Sequence, residues 1–203
     1  MLIVKYIHVL AEGAGMNANL IKASGVLAKV MEVFNWVLCV ALVIGCALFA
    51  LSGTLPTVSD ALPGDALNVY GFEVAVVDGS GTILGAAVYT VLICGAVVAS
   101  LVAMVFRNIY LIGRLTLGQS RHAKGAIPFQ PDDVRMVREI GMFAISVPVV
   151  QLAFNIIARI AVGFDAEVSG FAFMGIVFGI AMLCLSQIFA YGMELQRDTD
   201  GLI

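Results

Sequence analysis

Four long apolar runs separated by polar breaks set the pattern of this chain. They fall at about residues 28–51, 84–106, 140–161 and 170–191, each near the roughly 20 residues that a helix needs to cross hydrocarbon. The break at residues 54–81 holds Pro56, Pro63, Gly64 and Gly71, and its charges are Asp60, Asp65, Glu73 and Asp78, with no Lys or Arg. Within it, residues 67–77 are rich in Val, Phe and Tyr, and Asp78-Gly79-Ser80-Gly81 is a turn signal. That combination predicts a short β-hairpin or an extended lip on the outer surface. A ligand-sensing loop is the functional alternative there, since loops carry function more often than spans do.

The third helix has the clearest start. Pro131 suits the first helical position, and Asp132 and Asp133 set negative charge against the positive end of the helix dipole. Arg135 and Arg138 follow, and the apolar run begins directly after them. Further along, Gln151, Asn155 and Arg159 recur every four residues and so share one helical face, with Pro148 one turn before them. Polar side chains at membrane depth normally face a bundle interior or a water-filled cavity. Two readings stay open: hydrogen bonding to neighbouring helices, with Arg159 reaching to the interface, or a polar pocket completed by Ser186 and Gln187 of the fourth span. Small residues mark close packing at Gly95, Ala99 and Ala103 on the second span, and at Gly175 and Gly179 on the fourth. They leave a homodimer open.

Composition agrees with lipid as the main solvent. The chain of 203 residues is 61% hydrophobic and 12% charged, with a mean hydropathy of +1.03; soluble domains carry about 25% charged residues. A net charge of −3 argues against a nucleic-acid-binding face. Cys39, Cys46, Cys94 and Cys184 all sit inside apolar runs, where they read as small apolar packers. His122 has no partner at metal spacing and reads as a solvated loop residue. No HExxH, GxSxG or phosphate-cradling loop occurs, so neither an enzyme nor a cofactor is expected.

Charge also predicts sidedness. The breaks at 54–81 and around Asp165 and Glu167 carry acids only, whereas every Lys and Arg from Lys22 on, Arg159 excepted, lies on or beside the other side. The positive-inside rule then puts both termini and the basic 118–130 loop in the cytosol. The expected fold is an all-α integral membrane protein of four transmembrane helices arranged as two hairpins, with a short extracytoplasmic β-hairpin-like loop between helices 1 and 2. The membrane domain takes residues 28–203 and follows a cytosolic segment at 1–27. One reading makes Met16 the natural start, with residues 1–15 disordered or dispensable.

Two motifs carry a resemblance. Pro128, Phe129, Val134, Val137, Ile140 and Gly141 match an Asn-Pro-Phe-(Ser/Thr) lead into the third helix. Phe189, Gly192, Leu195, Gln196, Asp198, Asp200, Leu202 and Ile203 match a phrase that follows a last span. In both, the chain resembles the bacterial membrane proteins grouped as domain-of-unknown-function family 2975. It departs from them at Ile127 and Gln130, where members carry Asn and Ser/Thr. The resemblance implies a four-span protein of the bacterial cytoplasmic membrane and a regulatory partnership with a small cytosolic helix-turn-helix protein. Pro128, Phe129, Arg135, Arg138, Glu194, Leu195, Gln196 and Arg197 would form the platform for that partner. A small-molecule or ion carrier using the polar face of the third helix is the alternative.

Overall fold

A computed structural model describes residues 2–52, 66–77, 82–116, 131–163, 168–169 and 173–200. Its elements in order are α1 (Leu2–Ser52), β1 (Ala66–Val69), β2 (Phe72–Ala75), α2 (Gly85–Thr116), α3 (Pro131–Val162), β3 (Val168–Ser169) and α4 (Phe173–Asp200). All four helices are long and apolar enough to cross a membrane, over Leu20–Leu51, Gly85–Leu115, Pro131–Val162 and Phe173–Asp198. α3 begins at Pro131 with Asp132 and Asp133 in its first turn, as the proline and the acids predict.

The helix of α1 is continuous from Leu2 to Ser52, a stretch without proline.

The helices pack in sequence, α1 on α2, α2 on α3 and α3 on α4. α3 and α4 approach closely because glycines face each other's backbone. A Cβ at Gly175 would lie 3.0 Å from the Ala144 carbonyl oxygen, and one at Gly179 would lie 2.8 Å from that of Gly141. Pro148 contributes to this contact. It lacks the N–H that would bond the Ala144 carbonyl, and that carbonyl is the one Gly175 approaches.

Because Gly175 packs between Ala144 and Pro148, α4 starts part-way along α3. α3 runs on for 14 residues past Pro148, to Val162, or about 21 Å at the helical rise. The sheet fills the space beside that free length. β1 pairs antiparallel with β2 and β2 with β3, in the order β1-β2-β3. Ala158 of α3 joins Phe49 of α1, Phe72, Val74 and Val76 of the hairpin, and Val88, Val91, Cys94 and Val98 of α2 in one buried cluster. Val150, Phe154 and Val162 pack against it.

A two-stranded antiparallel ribbon therefore exists, at Ala66–Ala75, with one face buried against the helices. Phe72, Val74 and Val76 are at most 2% exposed. The cause is a period of two in the sequence: Leu67, Val69, Phe72, Val74 and Val76 fall on one face of the ribbon and turn to the helices. Non-helical backbone survives among membrane helices only where protein buries it or water reaches it. Here α2, α3 and strand pairing supply the cover.

Candidate functional site

The tip of the hairpin is where α1, α2 and α3 meet the sheet. The turn between β1 and β2 has positive φ at both central residues, 55° at Tyr70 and 79° at Gly71, which is the geometry of a tight two-residue hairpin loop. Gly71 adopts it freely. Tyr70 does not: a bulky aromatic residue in the left-handed region costs about 1–3 kcal/mol and persists only where its surroundings hold it.

Three neighbours fix it. The Tyr70 hydroxyl donates to Asn35 Oδ1 of α1, and the Asn35 amide donates to the Met31 carbonyl, 2.7 Å away. From α3, Gln151 Nε2 donates to the Tyr70 backbone carbonyl at 3.0 Å. From α2, Gly95 supplies room: a Cβ there would lie 2.7 Å from Val69 Cγ1 and 3.1 Å from Leu42 Cδ1. Beside the tip, Asn68 accepts from the Gly71 N–H at 3.1 Å and donates to Glu73 at 2.9 Å. The turn is thus held from both sides by side-chain amides, and both amides are buried, Asn35 at 2% and Gln151 at 1% exposure.

The other predicted polar residues divide among different tasks. Arg159 Nε donates to Asn155 Oδ1 at 3.0 Å, one turn back on the same helix. Ser186 is buried but donates to the Leu183 carbonyl of its own helix at 2.8 Å, and Gln187 is exposed on α4. The bonds of the five candidate residues, Gln151, Asn155, Arg159, Ser186 and Gln187, thus divide: Gln151 donates to the hairpin, Arg159 to Asn155, and Ser186 to its own helix. The small residues of α2 and α4 are likewise occupied within the chain, Gly95 by the hairpin and Gly175 and Gly179 by α3.

A second polar group lies between α2 and α3, at the end where the 117–130 linker joins them. Glu139 accepts from Arg135 Nε at 2.8 Å and from Asn108 Nδ2 at 3.2 Å. These three, with Arg107 and Asp132, line an open cleft of about 460 Å³ whose other walls include Met104, Leu111 and Phe143. Of the expected platform, Arg138, Glu194, Leu195 and Arg197 are exposed and Gln196 is half-buried. Pro128 and Phe129 lie outside the described residues, as does His122.

Sequence reasoning missed Glu32, Asn35, Tyr70 and Asn108. Glu32 is 7% exposed and pairs with Lys29 Nζ at 2.9 Å. The signal was available, since Lys29, Glu32 and Asn35 are spaced by three within an apolar run and must share a face. Among the described residues, no group of three His, Cys, Asp or Glu is placed to hold a metal ion. No family model, curated protein or solved structure matches the chain.

Proposed function

We propose that this protein is a non-enzymatic membrane sensor or anchor, in which the clamped hairpin is the responsive element and the linker end of the helices holds a cytosolic partner. One observation carries the reading: Asn35 of α1 and Gln151 of α3 both spend their buried amides on Tyr70, a residue in a costly backbone conformation. An element held in strain by a few specific bonds is one whose release a modest signal can trigger. The hairpin end then faces out of the cell and the linker end faces the cytosol, a reading supported by the acid-only breaks at one end and the Lys and Arg at the other.

On this reading the exposed Arg138, Glu194, Leu195 and Arg197 belong to the partner-binding surface, together with Pro128, Phe129, Arg135 and Gln196. The partner is a small helix-turn-helix regulator, by the resemblance to domain-of-unknown-function family 2975, and the membrane is the bacterial plasma membrane. The carrier alternative has less support. It needs a free polar face on α3, and Gln151 and Asn155 of that face already bond Tyr70 and Arg159.

Co-purification separates the two. The full chain, purified from its native membrane, is expected to bring down a small DNA-binding protein that is lost when residues 192–203 are deleted. Solute uptake abolished by Arg159→Ala, in a protein that remains folded, would overturn the reading in favour of a carrier.

A further inference from the structure

Phe34, Leu38 and Leu42 recur every four residues along α1 and so form one stripe. That stripe and the ribbon tip bound a pocket of about 300 Å³, whose other walls are Asn68, Val69 and Tyr70. The pocket lies deep in the apolar layer. Leu38 and Leu42 sit either side of the middle of the apolar run at about 28–51, and Val69 lies against Gly95, the middle of the run at about 84–106. Phe34 is 58% exposed, so the mouth opens sideways, into the lipid. Asn68 is the odd residue in this lining. Its Oδ1 accepts from the Gly71 N–H at 3.1 Å, and its Nδ2 donates one hydrogen to Glu73 Oε2 at 2.9 Å. A side-chain amide carries two N–H groups, and the second has no acceptor among the described residues. A donor without an acceptor at this depth is costly.

We propose that this pocket binds an uncharged, flat lipophile bearing a ring carbonyl, the chemistry of a quinone; the claim holds whether or not the hairpin transmits a signal. The carbonyl accepts the spare N–H of Asn68. The ring lies against Phe34 and Tyr70, as aromatic pairs do in offset or edge-on contact, and Leu38, Leu42 and Val69 supply the apolar walls. A phospholipid acyl chain would suit the walls but leave the amide unsatisfied. Its ester carbonyls lie at the edge of a hydrocarbon layer about 30 Å thick, half that thickness from the middle. No cation lines the pocket, so an anionic head would enter unpaired. The volume is at the low end of the roughly 300–1,000 Å³ of small-molecule sites, which suits one or two fused rings.

The test is displacement binding to the full chain in phosphatidylcholine nanodiscs, with concentrations taken as mole fractions in the disc lipid. The probe is a tritiated dimethylnaphthoquinone, methylated where thiols would otherwise attack the ring. Unlabelled quinone is compared as a competitor with dimethylnaphthalene, the same ring without carbonyls. The wild type is expected to bind the probe saturably, and the quinone to displace it about fivefold more effectively than the hydrocarbon, as one added hydrogen bond implies. Asn68→Ser keeps an oxygen for the Gly71 N–H and gives its one O–H to Glu73, so it should abolish that preference. Leu38→Trp fills the pocket and should prevent binding of both rings. Four results would each overturn the proposal: probe bound no better than to empty discs, equal displacement by the two rings, a preference that survives Asn68→Ser, or binding unchanged by Leu38→Trp. The wild-type comparison needs no variant, so it decides even where a substitution misfolds.

Discussion

Replacing Gly95 by Ala gives a change of stability whose sign depends on where the hairpin lies. Gly95 is ten residues into α2, an interior helical position. Ala is favoured over Gly there by up to about 1 kcal/mol on propensity, so an undocked hairpin predicts a more stable protein. With the hairpin docked, the new Cβ lies 2.7 Å from Val69 Cγ1, 3.3 Å from Val69 Cβ and 3.1 Å from Leu42 Cδ1. Val69 belongs to a ribbon pinned two ways at the next residue, so it cannot retreat by a rotamer change alone. Overpacking of this kind costs about 1–3 kcal/mol, which leaves a net loss of up to about 2 kcal/mol after the full propensity gain is subtracted. The assay is reversible denaturation in mixed micelles, with Val69→Ala as the second arm. Val69→Ala removes the closest atom, so the double variant should recover most of the loss as a positive coupling energy. A Gly95→Ala protein as stable as wild type or more so, with no coupling to Val69, would refute the docking.

Other consequences follow from the same geometry. Gln151→Leu leaves the part-buried Tyr70 carbonyl without this donor and should destabilise by about 1–2 kcal/mol, read by the same denaturation. Tyr70→Phe removes only the hydroxyl and should cost about 1 kcal/mol, with little further loss when Asn35→Ala is added; additive losses would show that the two do not interact. Gly179→Ala places a Cβ 2.8 Å from the Gly141 carbonyl oxygen, which is backbone and cannot yield. It should cost about 3 kcal/mol, the upper end for overpacking, and weaken cysteine cross-linking between α3 and α4. Glu139→Gln is expected to change stability by less than about 1 kcal/mol, because Arg135 is 70% exposed where it meets Glu139.

Much of the fold is legible in the sequence, and what is not has a physical reason. Length and hydropathy identify the four helices, since nothing but a membrane or a wholly apolar core tolerates such runs. Pro131, Asp132 and Asp133 mark the start of α3 because helix termini have strict local chemistry, and Gly175 with Gly179 marks the close face of α4 for a similar reason. Hydropathy cannot give the stagger of α4 against α3. That depends on which backbone atoms the glycines meet, here the carbonyls of Gly141 and Ala144. The inward turn of the hairpin was hidden because Asn68, Tyr70 and Glu73 make its tip look solvated, although the alternation from Leu67 to Val76 pointed to a buried face. The spacing of Gln151, Asn155 and Arg159 puts them on one face of α3, but their partners are not legible: Gln151 bonds a residue 81 positions earlier in the chain.

The central claim is that the hairpin tip sits among α1, α2 and α3, and disulfide trapping tests it most directly. Leu42→Cys and Val69→Cys, introduced together after the four native cysteines are replaced, put two thiols where both side chains crowd the same point beside Gly95. Mild oxidation in native membranes is predicted to join them within one chain, with Val69→Cys alone shielded from a membrane-impermeant maleimide. Free labelling of that cysteine from the water phase, with no cross-link to position 42, would contradict the account.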